Sequence, residues 1–343
     1  MRILLLMDPF IPVPPKHYGG IERVMYDIAC QYVQEGHEVT LIAGPNSKSP
    51  GRLITYGFNA ELQSIKINFS LLKEVTVILY REIRQHDVLH NFGRLLWMFP
   101  IAWSKIRKVQ TYMRYITPKN ISYLNKIGIT NMVYTAVSDA IVKTGINAGG
   151  KWKTVYNCAP IHQLTFVAEV AQDAPLVFLG RLERCKGAHT AIKVAKLTGR
   201  QLIIAGNISV LQEEITYFKN EIEPLIDGEQ IKYVGVVDNR EKNALLGSAA
   251  AMLLPVEWYE PFPIVLPEAY ACGTPILAFP GGGVPEGIFV GKTGYLSNTA
   301  EEMATQVEKI GLLNRAECRN IAEQLYSDKK IANDYLVIYQ SRI

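Results

Sequence analysis

The chain has 343 residues and a 48% hydrophobic fraction, which suits two packed domains and argues against disorder. Its net charge of +4 divides unevenly: residues 1–160 hold 19 Lys/Arg against 10 Asp/Glu, and residues 161–343 hold 17 against 22, so the halves suit different partners. Five scattered cysteines (Cys30, Cys158, Cys185, Cys272 and Cys318) form no CxxC pair, which argues against a zinc knuckle or disulfide scaffold and for a reducing, cytoplasmic setting.

The opening MRILLLMDPF reads as a first strand, since no small-residue cleavage site follows its short apolar run. No apolar run approaches the roughly 20 residues that span a bilayer. Further strands are expected at EVTLIA (38–43), DVLHNF (87–92), KVQTYM (108–113) and MVYTAV (132–137). A second series runs PLVFLG (175–180), QLIIAG (201–206), IKYVGVV (231–237), AAAMLLP (249–255) and TPILAF (274–279). Helices are expected between them, at 21–35, 187–198, 211–222 and 299–310. Continuous apolar strands separated by helices indicate parallel sheets covered on both faces. Ten strands are many for one such sheet, and the pattern restarts near residue 175 after the less periodic NCAPIHQLTFVAEVAQDAP. The expected fold is therefore α/β: two Rossmann-like, doubly wound domains, 1–160 and 161–343, hinged near 157–174 and facing across a cleft. Ligands in such folds lie outside the carboxyl ends of the strands.

Four stretches carry the candidate chemistry. In DPFIPVPPKHYGGIERV, Gly19 and Gly20 open a helix whose free N–H groups favour an anion, though a Gly-Gly pair is equally a flexible turn. In GRLERCKGAHTA, Arg181 leaves a strand end and Lys186 precedes a helix; two cations there suit a diphosphate, or form an ordinary solvated basic loop. In EWYEPFPIVLPEAY, Glu260 stands outside a helix and Glu268 a turn or so inside it. Either carboxylate alone would favour the helix dipole; together they suit sugar and ribose diols. Gly281, Gly282 and Gly283 follow another strand end and permit close backbone approach to a ligand.

Taken in order, GGIE, VSDA (137–140), YN (156–157), GRLxxxKG, E-P-F with PEAYACGTPILA, and GGxPE (282–286) resemble the retaining glycosyltransferases of family four, which have the twin-Rossmann GT-B architecture. The resemblance covers nearly the whole chain. It implies that Arg181 and Lys186 bind the donor diphosphate, Glu260 the transferred sugar and Glu268 the nucleotide ribose. It implies that residues 233–237, ending at Val237, flank the nucleobase. Gly19, Gly20, Gly180, Phe262, Pro263, Ile264 and Val265 lie in the same motifs and count with the donor-binding residues. It also implies terminal helices that return toward the first domain. Two departures stand out. Pro263 replaces a common glycine and has no N–H to offer. The family's D-x-x-H-x-H run is DVLHNF here, with His90 in the first histidine place and Phe92 in the second. His90 is thus either a ligand-facing catalytic residue or a histidine at a strand end.

The implied reaction moves a sugar from a nucleoside diphosphate sugar, UDP- or GDP-linked, to a glycan, lipid-linked or small-molecule acceptor, with retention. No DxD follows a strand, so neither metal nor other cofactor is expected. Residues 103–119 interleave Lys105, Arg107, Lys108, Arg114 and Lys119 with Trp103, Tyr112 and Tyr115. That pattern fits peripheral contact with an anionic membrane, or a merely solvated rim. No nucleic-acid module accompanies the charge. Without a dinucleotide fingerprint a dehydrogenase is disfavoured. A sugar-nucleotide epimerase of the same architecture and a non-catalytic nucleotide-sugar-binding subunit remain as alternatives.

Overall fold

The computed structural model describes residues 1–15, 19–57 and 69–341. They divide into two compact units, Met1–Asn157 with Asp328–Ile343, and Cys158–Ser327. Residues 16–18, in the proline-rich loop expected before the first helix, lie outside the described residues.

The first unit holds a seven-stranded, wholly parallel sheet. Its strands are β1 (Arg2–Leu6), β2 (Glu38–Ala43), β3 (Arg52–Thr55), β4 (Val88–Asn91), β5 (Arg107–Tyr112), β6 (Met132–Ala136) and β7 (Lys151–Thr154). They lie in the order β3-β2-β1-β4-β5-β6-β7. Helices α1 (Gly20–Gln34), α2 (Phe69–Glu82), α3 (Pro118–Lys126) and α4 (Asp139–Gly145) connect them. Helix α1 buries Val24, Met25, Ile28, Ala29 and Tyr32, the one-sided spacing that packs a helix on a sheet. The VSDA motif works as a helix start: the Ser138 side chain accepts from the Ile141 N–H at 3.2 Å.

The second unit holds six parallel strands: β8 (Leu176–Leu179), β9 (Leu202–Ala205), β10 (Ile231–Tyr233), β11 (Ala251–Leu254), β12 (Ile276–Ala278) and β13 (Gly294–Leu296). Their order is β10-β9-β8-β11-β12-β13. Its helices are α5 (Ala188–Thr198), α6 (Gln212–Tyr217), α7 (Asn239–Ser248), α8 (Val265–Ala271), α9 (Val284–Gly287), α10 (Ala300–Val307) and α11 (Arg315–Leu325). All ten expected strands are present. β3, β7 and β13 were not expected. Each is a three- or four-residue strand at a sheet edge, with polar or half-exposed residues and no apolar run to betray it.

Much of the stretch expected to hinge is strapped to the second unit. Arg315 donates to the carbonyls of Val167, Ala249 and Gly247, and Arg319 to those of Leu164 and Ala271. The chain changes unit at 157/158 and again at 327/328. Among the described residues, no helix is long and apolar enough to cross a membrane.

The last helix, α12 (Asp328–Gln340), belongs to the first unit. Gln31 donates to Asp328 at 2.8 Å, Arg107 to the Ile338 carbonyl at 2.6 Å, and the Tyr32 and Tyr339 hydroxyls meet at 3.0 Å. His90 sits beneath it with no exposed surface. Its Nδ1 meets the Tyr339 hydroxyl at 2.5 Å and its Nε2 the Thr111 hydroxyl at 2.6 Å. The rings of Phe92 and Tyr335 close over it, at 4.0 and 4.6 Å between centroids. His90 is therefore a core residue joining sheet to helix, which corrects the ligand-facing expectation: both ring nitrogens are used and no solvent reaches them.

Burial holds the His90 pKa well below its ordinary value of 6.5. The folded protein thus keeps the ring neutral while the unfolded chain binds a proton below about pH 6.5. His90's contribution is present above that pH and is lost as pH falls, by up to about 1.4 kcal/mol per unit. Urea unfolding of the wild type and His90→Gln at pH 7, 6 and 5 should show a steeper loss in the wild type. Parallel slopes would contradict the burial of a neutral ring.

Candidate functional site

Strand order in the second unit reverses between β8 and β11, and the loops leaving these two strands carry the expected residues. Such a reversal opens a natural ligand position at the carboxyl ends of the strands. After β8 come Gly180 and Arg181, then a tight turn at Arg184–Lys186, then Gly187 with φ +78°. A side chain at Gly187 would strike the Pro255 carbonyl, so glycine lets the two loops approach. The contact is sealed by the Glu257 N–H donating to the Cys185 carbonyl at 2.8 Å. Thr190 on α5 also donates to the Glu257 carboxylate at 2.9 Å.

Between the two loops, Lys186 Nζ reaches Glu260 Oε2 at 2.5 Å. Trp258 Nε1 donates to the same oxygen at 2.6 Å, and the Lys186 ammonium lies 4.6 Å from the Trp258 ring centroid. The side chains of the pair are only 17% and 9% exposed. Arg181 pairs with Glu183 of its own loop. Glu268, in α8, pairs with Lys242 of α7, and both are nearly enclosed. The cations expected to receive a diphosphate are thus already matched to carboxylates.

The three glycines pack against the loop that carries Glu260. Gly282, with φ +58°, lies so close to the Glu260 backbone that any side chain would collide with it, and Gly283 N–H donates to the Glu260 carbonyl at 2.7 Å. Gly281 is likewise pressed against the Trp258 carbonyl. Their close approach is to the Glu260 loop, which they hold in place. A cavity of about 480 Å³ is lined by Trp258, Tyr259, Gly281 and Gly282 among others; Arg181, Lys186 and Glu268 do not line it.

The second unit thus brings Lys186 to Glu260, with Arg181 on the loop of Lys186 and Gly180 after the end of β8, while Glu268 is paired separately with Lys242. Ile264 and Val265 open α8 and are partly exposed, whereas Pro263 is buried. Phe262 is a core residue, its ring 5.5 Å from that of Tyr326. Val237 lies in the loop after β10, where Val234 and Val236 are about half exposed at 50% and 58%. Gly19, Gly20 and His90 belong to the first unit. Trp258, Lys242 and Glu183 were missed. Trp258 is foreshadowed by its place two residues before Glu260; Lys242 sits in the polar run NREKN, which carries no such signal. Among the described residues, no group of three or more His, Cys, Asp or Glu is placed to hold a metal ion.

The basic stretch 103–119 needs correction as a surface feature. Lys108 is fully buried, its ammonium donating to the carbonyls of Ser104, Ile106 and Thr130, and burial lowers its pKa to about 8. Arg107 turns toward α12. Trp103 and Tyr115 remain exposed, at 66% and 68%.

Residues 167–327 match the family described as glycosyl transferases group 1. A phosphatidyl-myo-inositol mannosyltransferase of Propionibacterium freudenreichii subsp. shermanii is 42% identical over 298 residues, 76% of this chain and 73% of the relative. The sucrose-phosphate synthase of Thermosynechococcus elongatus superposes with a TM-score of 0.78 at 18% identity, covering 99% of this chain and 98% of that one. The Anabaena protein HepE, solved in complex with UDP and glucose, gives 0.76 at 18% identity, with complete coverage of both chains. These likenesses establish a shared fold, the two-domain GT-B architecture.

The site also decides the state of Cys185. Flanking cations suggest an acidified thiol, yet its pKa is raised, by burial first and then, against the pull of Lys186, by the carboxylates of Glu183 and Glu214. Alkylation of Cys185 by iodoacetamide, mapped by mass spectrometry across pH, should therefore reach half its maximal rate above the free-thiol value of about 8.5. A midpoint below that value would restore the reactive-thiolate reading.

Proposed function

The chain belongs to the group 1 glycosyl transferases, and from that membership we propose that it is a retaining, family-four enzyme moving a sugar from a nucleoside diphosphate sugar to a hydroxyl of an acceptor. The observation that carries the reading is the meeting of Lys186 and Glu260 at the strand-order reversal of the second unit. Arg181 shares the loop of Lys186, and Glu268 lies on the helix that follows Glu260. The complex of HepE with UDP and glucose supports a nucleotide-sugar donor and favours UDP.

On this reading the incoming diphosphate replaces Glu260 as the partner of Lys186, and Arg181 adds a second, forked set of donors. The released Glu260 carboxylate then accepts from sugar hydroxyls, and Glu268 from the ribose diol. Val234, Val236 and Val237 offer an apolar surface to the base. In the transfer step the bond from the anomeric carbon to the diphosphate oxygen breaks. The acceptor oxygen bonds the same face of that carbon, and its proton passes to the departing phosphate. The two cations stabilise charge as it gathers on the leaving oxygens; Glu260 orients the sugar. No protein nucleophile is invoked, and neither metal nor cofactor. The acceptor would be held by the first unit.

Calorimetry with bare UDP separates the roles. Arg181→Ala and Lys186→Ala should each weaken UDP roughly 10- to 100-fold, the worth of a charge-assisted contact. Glu268→Ala should weaken it too. Glu260→Ala should bind UDP at least as tightly as the wild type, because the sugar it would hold is absent and its competition for Lys186 is removed. Unchanged affinity in both cation variants would refute the diphosphate assignment. Tight UDP binding with no turnover of any donor would mark a non-catalytic subunit, the reading that Pro263 raises.

Release of UDP from UDP-sugars should persist in excess EDTA. Complete loss restored by Mg²⁺ would overturn the metal-independent mechanism.

A further inference from the structure

The first unit carries its own strand-order reversal, between β1 and β4, and a cavity of about 490 Å³ lies at the strand ends beside it. It is lined by residues following β4 and β5, Arg94 and Arg114 among them. Behind them stands Asp8, two residues past β1 and only 7% exposed. One Asp8 oxygen is fully engaged, accepting from the Arg94 N–H at 2.9 Å and from Trp97 Nε1 at 2.7 Å. The other faces both guanidinium groups at 3.7 Å, beyond hydrogen-bonding distance.

Two guanidinium groups thus share one carboxylate. Among the described residues, neither makes a side-chain hydrogen bond; Arg94 rests on the Phe10 ring at 4.6 Å, and the side chains are 39% and 55% exposed. The other carboxylate at this point, Glu22 of α1, does not offset a full charge at neutral pH. Its pKa is raised to about 7, by burial first and by Asp8 in addition. The contrast with the second unit is plain: there Lys186 and Lys242 are closely matched to carboxylates, whereas here positive charge and unspent donors face a cavity of ligand size.

We propose that this cavity binds an anionic group of the acceptor, a phosphate monoester or a carboxylate, gripped by Arg94 and Arg114. Planar guanidinium forks suit both groups, and one carboxylate behind two arginines leaves charge for a ligand to neutralise. That the anion belongs to the acceptor rests on the transferase reading above; that the cavity binds anions does not.

The test uses the full chain and calorimetry with glucose 6-phosphate, glucuronate and glucose, each with and without saturating UDP. One or both anionic sugars should bind at least tenfold more tightly than glucose, and which of them does so identifies the group. Arg94→Gln and Arg114→Gln should each weaken that binding about 10- to 100-fold while leaving UDP affinity within about twofold of the wild type. Lys186→Ala should do the reverse. Equal binding of glucose, absence of binding by both anionic sugars, wild-type affinity in both arginine variants, or displacement by UDP would each overturn the proposal. A wild type that binds the anionic sugar but neither UDP nor GDP would keep the cavity and sink the nucleotide-sugar transferase reading instead.

Discussion

A lysine and a glutamate from two different loops share one nearly dry contact, and the second unit is arranged around it. Lys186 and Glu260 give up most of their hydration, which their attraction offsets only if the geometry is good and other hydrogen bonds assist. Trp258 supplies that assistance through its N–H and its ring face. Yet the pair does not position itself. Gly187 lies against the Pro255 carbonyl, Glu257 donates to Cys185, and Gly283 donates to Glu260. The backbone fixes where the two charges stand, and this is what preorganisation requires of a site.

Glycine has two uses in this neighbourhood. At Gly187 and Gly282 the backbone takes positive φ where a neighbouring carbonyl leaves no room for a side chain. The loops after β8, β11 and β12 therefore lock to one another before any ligand is considered. Glu260 is consequently held by its neighbour's peptide groups, and its carboxylate is left to choose between Lys186 and whatever else arrives.

The first unit solves a different problem. Its final helix is tied to the sheet by a buried polar chain running from Tyr32 through Tyr339 and His90 to Thr111, with Tyr335 and Thr135 also on the Thr111 hydroxyl. Every member is satisfied, so the network specifies how α12 docks without the penalty of an unpaired buried polar group. The same unit leaves Arg94 and Arg114 loosely disposed around Asp8. The hydroxyl and imidazole groups of that network are saturated; the two guanidinium groups facing the cavity are not.

The two-domain α/β organisation was legible because buried parallel strands write themselves as apolar runs: LLLM, TLIA, LVFL and AMLL need no context to be seen. The positions of Arg181, Lys186, Glu260 and Glu268 were equally legible, since each sits at a strand end or helix start that local pattern marks. What pairs with them was not. Lys242 lies 26 residues from Glu268, and Lys186 lies 74 from Glu260; ion pairing over such separations depends on strand order, which periodicity does not encode. Environment was hidden for the same reason. His90, Lys108 and Cys185 each read from neighbours in sequence as available to solvent or ligand, and each is governed instead by its surroundings in space: α12 over His90, three carbonyls around Lys108, and burial at Cys185. Local chemistry named the residues. Burial and charge at each one are sums over neighbours in space, and only the tertiary fold sets those.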